Sequence, residues 1–157
     1  MRTTREPRIP RGPCGTLSIV ATPPSVLVID DDPDIRRIVW IALVNIGHFH
    51  VRLASGAEEA LAHAREARPD VVLLDVSMPS ADGPQTLALL RGIAWMKDVP
   101  IAFLTAAVGQ SQPDSPHARE SADALRRCGA ADIIAKPFDI GELCERVRRL
   151  LPQSGVT

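Results

Sequence analysis

The stretch Val71-Val-Leu-Leu-Asp75-Val-Ser-Met-Pro79 is the strongest indication of the fold class, because four consecutive apolar residues lead directly into an aspartate. Such a run, rich in β-branched valine, is typical of a strand buried on both faces of a parallel sheet. Pro79 and Gly83 then predict a loop. An aspartate at the carboxyl end of a central strand lies where open α/β sheets bind ligands. By itself, Asp75 is explained equally well as the N-cap of the next helix.

The composition predicts one ordinary soluble domain. The chain has 157 residues, 45% hydrophobic and 24% charged, with a formal net charge of −1. That length suits a single core, and the small charge gives no reason to expect nucleic acid or membrane binding. No apolar run is long enough to cross a bilayer. Three cysteines without metal-like spacing predict free thiols and a cytoplasmic protein.

Three segments are expected along the chain. Residues 1–24 are rich in Arg and Pro and predict a disordered N-terminal tail. A nucleic-acid-binding arm is the less favoured alternative for this tail, since it lacks aromatic residues. Residues 25–151 form the predicted domain and residues 152–157 a short C-terminal tail. Because six residues cannot form another domain, we expect a stand-alone protein.

A strand–helix rhythm begins at Val26 and repeats five times. The strands are predicted over residues 26–29, 50–53, 71–75, 99–104 and 132–135. Five alternating pairs predict an α/β fold with a doubly wound parallel sheet and right-handed crossovers.

Capping patterns indicate where the helices begin and end. Asp32 before Pro33 predicts the start of the first helix, and Gly47 its end in a left-handed cap. Ser55 with Glu58 forms a capping-box pattern for the second helix. The third helix is predicted to end near residue 96, and the fourth to cover residues 118–128. Asp139 and Glu142 form a capping-box-like pair at the start of the last helix.

The residues that close the strands are expected to meet at one edge of the sheet. They are Asp30, Asp31, Asp75, Thr105 and Lys136. If the first and third strands are neighbours, as in the flavodoxin-like order 2-1-3-4-5, three carboxylates converge. Like charges this close repel one another unless a cation neutralises them, and oxygen ligands suit Mg²⁺.

This set of groups predicts attack on phosphorus. Asp75 would be a covalent nucleophile that gives an acyl phosphate. Mg²⁺ and Lys136 would neutralise the phosphoryl oxygens, and Thr105 could hydrogen-bond one of them. Each group also has a structural interpretation, namely a capped turn, a strand-end hydroxyl or an ion pair. Their joint placement on successive strand ends favours the chemical interpretation.

Four blocks resemble the signature blocks of response-regulator receiver domains, and the resemblance covers about residues 26–151. The blocks are Val28-Ile-Asp-Asp-Asp-Pro-Asp34, Leu74-Asp-Val-Ser-Met-Pro-Ser-Ala-Asp-Gly83, Phe103-Leu-Thr-Ala106 and Ala135-Lys-Pro-Phe-Asp139.

The resemblance implies that Asp75 accepts a phosphoryl group from a histidine kinase or a histidine phosphotransfer protein. It implies that Asp31 and Asp75 hold Mg²⁺ directly, that Asp30 acts largely through water, and that the Ser77 backbone carbonyl completes the protein ligands. Thr105 and Lys136 would both contact the phosphoryl group. The peptide bond that follows the lysine would be cis.

The sequence departs from the family pattern at three places. Ile133 stands where the family often has an aromatic switch residue, so a Tyr or Phe switch coupled to Thr105 cannot operate in its usual form. The segment after Thr105, which includes residues 109–116, is longer than usual, and long loops are commonly functional. Ser77 and Ala107 supply no carboxylate or amide to orient water, so we expect no unusually fast loss of the phosphoryl group.

The favoured interpretation is a signalling module, not an enzyme. Its expected partners are the phosphodonor and an unknown downstream protein, with no nucleic acid and no membrane, as a monomer or a phosphorylation-dependent homodimer. The first alternative is a pseudo-receiver scaffold that acts without phosphorylation. The second is a Mg²⁺-dependent phosphohydrolase resembling the haloacid-dehalogenase-like phosphatases, although their nucleophile closes the first strand.

Overall fold

The computed structural model describes residues 22–79, 81–106 and 116–152. Most of the predicted N-terminal tail, Ala107, all but the last residue of the 109–116 segment, and residues 153–157 lie outside this part of the chain. Among the described residues, no helix has both the length and the apolar character needed to cross a membrane.

Strands and helices alternate as the sequence predicts. The strands are β1 (Ser25–Ile29), β2 (His50–Ala54), β3 (Val71–Asp75), β4 (Ile101–Thr105) and β5 (Asp132–Ala135). The helices are α1 (Pro33–Ile41), α2 (Ala57–Glu66), α3 (Gly83–Arg91), α4 (Pro116–Arg127) and α5 (Ile140–Leu150). A π-helical segment (Ala42–Ile46) follows α1, and a 3₁₀ turn (Ala94–Met96) follows α3.

The five strands form one parallel sheet in the order β2-β1-β3-β4-β5, which confirms the predicted order. All five residues of β3 are buried, as expected for a central strand covered on both faces. Alternate strand residues point to opposite faces. Leu74 packs in a core layer with residues of α2 and α3, and Leu73 in a second layer with residues of α1 and α5. The strand ends are therefore held between two apolar layers.

The end of the first helix differs from the prediction. Gly47 has a φ of −81°, so the predicted left-handed cap at this residue is wrong, and His48 is the residue with positive φ (56°). The helix widens instead into the π segment, in which the Gly47 N–H donates to the Ala42 carbonyl at 3.1 Å. A Cβ on Gly47 would lie 2.4 Å from the Phe49 ring. Glycine is needed here because the ring packs against its backbone.

The start of the second helix also differs. The Ser55–Glu58 capping box is wrong, because the N-cap is Gly56 and makes no side-chain bond. The backbone N–H and the hydroxyl of Ser55 both donate to Glu59 Oε2, at 2.7 and 2.8 Å. Glu59, the residue after the predicted partner Glu58, lies one helical turn beyond Ser55, so its carboxylate can reach back to Ser55.

The third helix is shorter than predicted and begins with a cap that the prediction missed. It ends at Arg91, not near residue 96, and Gly83 is its first residue instead of a loop residue. Asp82 and Gln85 form a reciprocal capping box. Asp32 is the predicted N-cap of α1 and accepts from two of its N–H groups. Asp139 caps α5 by accepting from the Glu142 N–H at 3.0 Å, which is one of the two bonds of a capping box.

Candidate functional site

The carboxyl edge of the sheet brings three carboxylates together. Asp30 follows β1, Asp75 ends the neighbouring β3, and Asp31 lies beside Asp30. One carboxylate oxygen from each of them lies within 4.8 Å of the others. Asp30 and Asp75 are buried, with exposed fractions of 0% and 5%, whereas Asp31 is exposed. The convergence expected from the strand order is therefore present.

Lys136, directly after β5, provides the positive charge of this cluster. Its Nζ lies 2.7 Å from Asp30 Oδ2 and 3.3 Å from Asp75 Oδ1. Burial lowers the pKa of Lys136, but the hydrogen bond and charge of Asp30 and the charge of Asp75 outweigh burial and raise that pKa above its usual range. The lysine therefore stays protonated and bridges two strand ends. The Lys136–Pro137 peptide bond is cis, as the resemblance implied.

Asp75 has the clearest electrostatic signature of the site. Burial, together with the negative charge of Asp30, raises the pKa of Asp75 to about 6. The charge and hydrogen bond of Lys136 act in the opposite direction, as does the Ser77 N–H, which donates to Asp75 Oδ1 at 3.4 Å. One lysine is therefore insufficient to neutralise the carboxylates.

The backbone and both carboxylate oxygens of Asp30 take part in hydrogen bonds. Its N–H donates to the Ala54 carbonyl at 3.1 Å, and its Oδ1 accepts from the Asp32 N–H at 2.9 Å. Its other carboxylate oxygen accepts from Lys136. Because both oxygens already accept hydrogen bonds, Asp30 is better suited to contact a ligand through water than directly.

The remaining predicted residues lie around this cluster. Thr105 is buried at the end of β4, and its carbonyl accepts from the Lys136 N–H at 2.9 Å. Ser77 is exposed, two residues beyond the end of β3. Ile133 is half-buried on β5, and its carbonyl accepts from Arg146 Nη1 at 2.9 Å. Ala107 cannot be placed, as it lies outside the described residues.

Arg36, which is not among the predicted site residues, also contacts this cluster. Arg36 Nη1 donates to the Asp30 backbone carbonyl at 2.7 Å. The available signal was a basic residue one turn into the helix that follows the acidic run. That signal is weak, because the neighbouring Arg37 offers the same charge and is exposed.

The donor set of the cluster fits Mg²⁺. Its protein ligands are hard carboxylate oxygens, which this ion prefers, and Mg²⁺ commonly keeps several waters besides one or two carboxylates. The pKa of Asp75 is raised by burial and by the charge of Asp30, and a divalent cation would offset the second of these causes.

Comparison with known proteins identifies the family of this chain. The family model of the response regulator receiver domain matches residues 26–148, which include all three aspartates and Lys136. The chain belongs to the response regulator receiver family. Receiver domains are signalling modules of two-component systems, and they bind Mg²⁺ at an acidic cluster of the kind seen here.

Curated relatives of this receiver domain include transcriptional regulators. Transcriptional regulatory protein PrrA of Mycobacterium leprae is 39% identical over 137 residues, with 85% of this chain and 52% of that protein covered. DNA-binding dual master transcriptional regulator RpaA of Synechocystis is 38% identical, with 82% and 49% covered. The chain thus spans about half the length of the curated relatives it matches.

Solved structures of receivers share the fold. Chemotaxis response regulator CheY4 of Vibrio cholerae has a TM-score of 0.69 at 33% identity, with 83% of this chain and 100% of that chain covered. The receiver domain of NtrX from Brucella abortus has a TM-score of 0.68 at 30% identity, with 82% and 99% covered.

Proposed function

We propose that this receiver accepts a phosphoryl group on Asp75 from a phosphorylated histidine of a kinase or a phosphotransfer protein. The observation that carries the proposal is the setting of Asp75. This carboxyl group is buried at the end of the central strand, within 4.8 Å of the Asp30 and Asp31 carboxylates and 3.3 Å from Lys136 Nζ. Repelling carboxylates beside a lysine suit a site that binds a metal and a phosphoryl group together.

The proposed step is a nucleophilic displacement at phosphorus. A carboxylate oxygen of Asp75 forms a bond to phosphorus as the P–N bond of the phosphohistidine breaks. The electron pair of that bond stays on the imidazole nitrogen, and the product is an aspartyl phosphate. The Asp75 carboxyl group must be ionised to attack, and a bound divalent cation would favour the ionised form by offsetting the charge of Asp30, which together with burial raises the pKa of Asp75.

The other residues of the edge divide the remaining tasks. Asp31, Asp75 and the Ser77 carbonyl are the proposed direct ligands of Mg²⁺, and Asp30 acts through water, since both its oxygens accept hydrogen bonds. When bound, Mg²⁺ supplies positive charge to the phosphoryl oxygens. Lys136 and Thr105 would contact the same oxygens, the lysine by its charge and the threonine by its hydroxyl.

The proposed output is phosphorylation-dependent binding to another protein. The surface that we assign to it comprises β5 with α4 and α5, since Thr105 at the end of β4 pairs with Ala135 at the end of β5 and is the residue proposed to contact the phosphoryl group. Ile133 lies on this strand in place of an aromatic residue, so an aromatic side-chain switch coupled to Thr105 is not proposed as the link to this surface. That the protein is a stand-alone receiver stays a prediction.

Intact-mass spectrometry after incubation with Mg²⁺ and acetyl phosphate tests the phosphoacceptor. We expect one phosphoryl adduct, which is absent without Mg²⁺ and absent from Asp75→Asn. Asp70→Asn, at the opposite end of the same strand, is the matched control and should keep the adduct. No adduct on the folded wild-type protein would favour the pseudo-receiver alternative. Turnover of a small phosphoester would favour the phosphohydrolase instead.

The lifetime of the adduct tests a second part of the proposal. Ser77 and Ala107 provide no carboxylate or amide to orient an attacking water, so the phosphoryl group should not be lost unusually fast. Decay is followed by intact mass after removal of acetyl phosphate. A lifetime of seconds for the purified protein would contradict this expectation.

A further inference from the structure

Arg36 reaches back from α1 to the end of β1. Its Nη1 donates a hydrogen bond of 2.7 Å to the Asp30 carbonyl, and it is half-buried in doing so. That carbonyl belongs to the peptide bond between Asp30 and Asp31. Because a peptide group is planar, a contact that fixes its carbonyl also fixes the direction in which the chain enters Asp31. The guanidinium therefore acts on the two acidic residues through their shared backbone.

The loop after β1 also interacts with the end of β2 and with the start of α2. The pKa of Glu59 is lowered mainly by the backbone N–H and hydroxyl of Ser55, with smaller contributions from the positive charges of His63 and Arg36. Arg36 thus lies within electrostatic reach of the start of α2. The Asp30 N–H also donates to the Ala54 carbonyl at the end of β2. The loop after β1 is thereby tied to β2 on one side and to α1 on the other.

The hydrogen bond of the Arg36 guanidinium does not cap α1. The start of this helix is already capped by the Asp32 side chain, which accepts from the Asp34 and Ile35 N–H groups. The guanidinium of Arg36 contacts the carbonyl of Asp30, which lies two residues before the cap and outside the helix. Its consequence is for the position of the carboxylates.

We propose that Arg36 is a positioning residue that holds the Asp30–Asp31 peptide group in the orientation in which Asp31 and Asp75 share one Mg²⁺. The inference rests on the proposed function, because it concerns the same metal site. Arg36 does not touch the phosphoryl group or the metal in this account. It acts through the backbone that carries two of the three carboxylates.

The sign of the effect on Mg²⁺ affinity separates positioning from simple electrostatics. A positive guanidinium repels a nearby cation, so electrostatics alone predicts that its removal strengthens Mg²⁺ binding. Loss of a positioning contact predicts the opposite, because Asp31 is then free to leave the geometry that the ion requires. The two explanations therefore give opposite results for one variant.

The test is a direct titration of Mg²⁺ by calorimetry on the wild type, Arg36→Ala and Arg36→Lys. We expect Arg36→Ala to raise the Kd for Mg²⁺ about fivefold, the effect of one hydrogen bond. Arg36→Lys should recover part of the affinity, because an ammonium group can donate one bond to the same carbonyl. Arg37→Ala removes the same charge from an exposed neighbour and should leave the Kd unchanged within about twofold.

Backbone amide spectra give an independent readout without the ion. In Arg36→Ala, the amide signals of Asp31 and Asp32 should shift and broaden, while those of β3 stay in place. If Arg36→Ala does not fold, Arg36→Met replaces it, since methionine keeps the apolar stem and lacks the donor. An unchanged or lower Kd in the folded variant overturns the role of Arg36 and leaves the proposed function standing. A wild-type protein that fails to bind Mg²⁺ contradicts the proposed function itself.

Discussion

An aspartate lies at each end of the central strand, and the two meet opposite surroundings. Asp70, directly before β3, accepts the Ser25 backbone N–H on Oδ2 at 2.8 Å, and its own N–H donates to the Ser25 carbonyl at 2.8 Å. Asp75, the last residue of β3, faces Asp30, Asp31 and Lys136 instead. The first carboxylate is paired with a neutral backbone group, whereas the second is crowded by other carboxylates.

The two edges of the sheet therefore differ in what their charged side chains do: those at the amino edge stabilise the fold, and those at the carboxyl edge form the candidate site. At the amino edge, charged side chains satisfy backbone groups; Arg91 Nη1, for example, donates to the Met96 and Val99 carbonyls, both at 2.6 Å. Such bonds stabilise the fold. At the carboxyl edge, burial and like charge raise the pKa of Asp75 to about 6, so ionisation of Asp75 opposes folding. Substitution of Asp75 and substitution of Asp70 should therefore change stability in opposite directions.

The largest expected change in stability is at Lys136. In Lys136→Met, the Asp30 carboxylate stays buried without its ion-pair partner, and breaking a buried pair costs about 3 kcal/mol. Urea unfolding at pH 7.5 without Mg²⁺ measures this loss. The loss should shrink by at least ~1 kcal/mol when Asp30→Asn is already present, because the two groups interact directly. Strict additivity of the two substitutions would contradict the coupling.

Asp75→Asn is expected to stabilise the protein by about 2 kcal/mol at pH 8 without Mg²⁺. Folding raises the pKa of Asp75 to about 6, above its unfolded value. The folded protein therefore binds the proton more tightly, and stability falls as the pH rises through the window from about 4 to about 6.

Urea unfolding of Asp75→Asn at pH 4 and pH 8 checks the sign. The advantage of the variant should be present at pH 8, absent at pH 4, and smaller when Mg²⁺ is added, because the ion stabilises the wild type by binding to the folded state. An equal advantage at both pH values, or a loss at pH 8, would mean that the carboxylates do not repel as described.

Asp70→Ala should have the smallest effect and the opposite sign. It leaves the Ser25 N–H without its carboxylate acceptor, which costs about 1 kcal/mol. The same urea measurement at pH 6 and pH 8, with and without Mg²⁺, should give one value throughout, since Asp70 lies at the edge remote from the metal site. If the loss of stability in Asp70→Ala depended clearly on Mg²⁺, the amino edge would not be independent of the metal site.

The sequence was sufficient for the sheet order and for the convergence of the strand-end residues. Apolar runs of strand length and their polar ends are local signals, and the crossover rules convert them into neighbours in space. The Asp82–Gln85 capping box also follows a local sequence pattern, although it is not among the predicted helix starts.

The end of the first helix was mispredicted because it depends on tertiary contacts. Gly47 is a local signal for a left-handed cap, but packing of the Phe49 ring against it moves the positive φ to His48. The π segment is held from α5, where Cys144 Sγ donates to the Ala42 carbonyl at 3.4 Å and Arg148 donates to the Ile46 carbonyl at 3.2 Å. These partners are about a hundred residues away in sequence, so no local pattern predicts them.

The residue that carries the phosphoryl group can be identified by chemical trapping. The protein is incubated with Mg²⁺ and acetyl phosphate and then reduced with borohydride, which converts an aspartyl phosphate to homoserine. Proteolysis and tandem mass spectrometry then locate the converted residue. We expect homoserine at position 75 in the wild type and in Asp70→Asn, and none without Mg²⁺. Homoserine at position 31 or 70, or at no position in the folded protein, would contradict it.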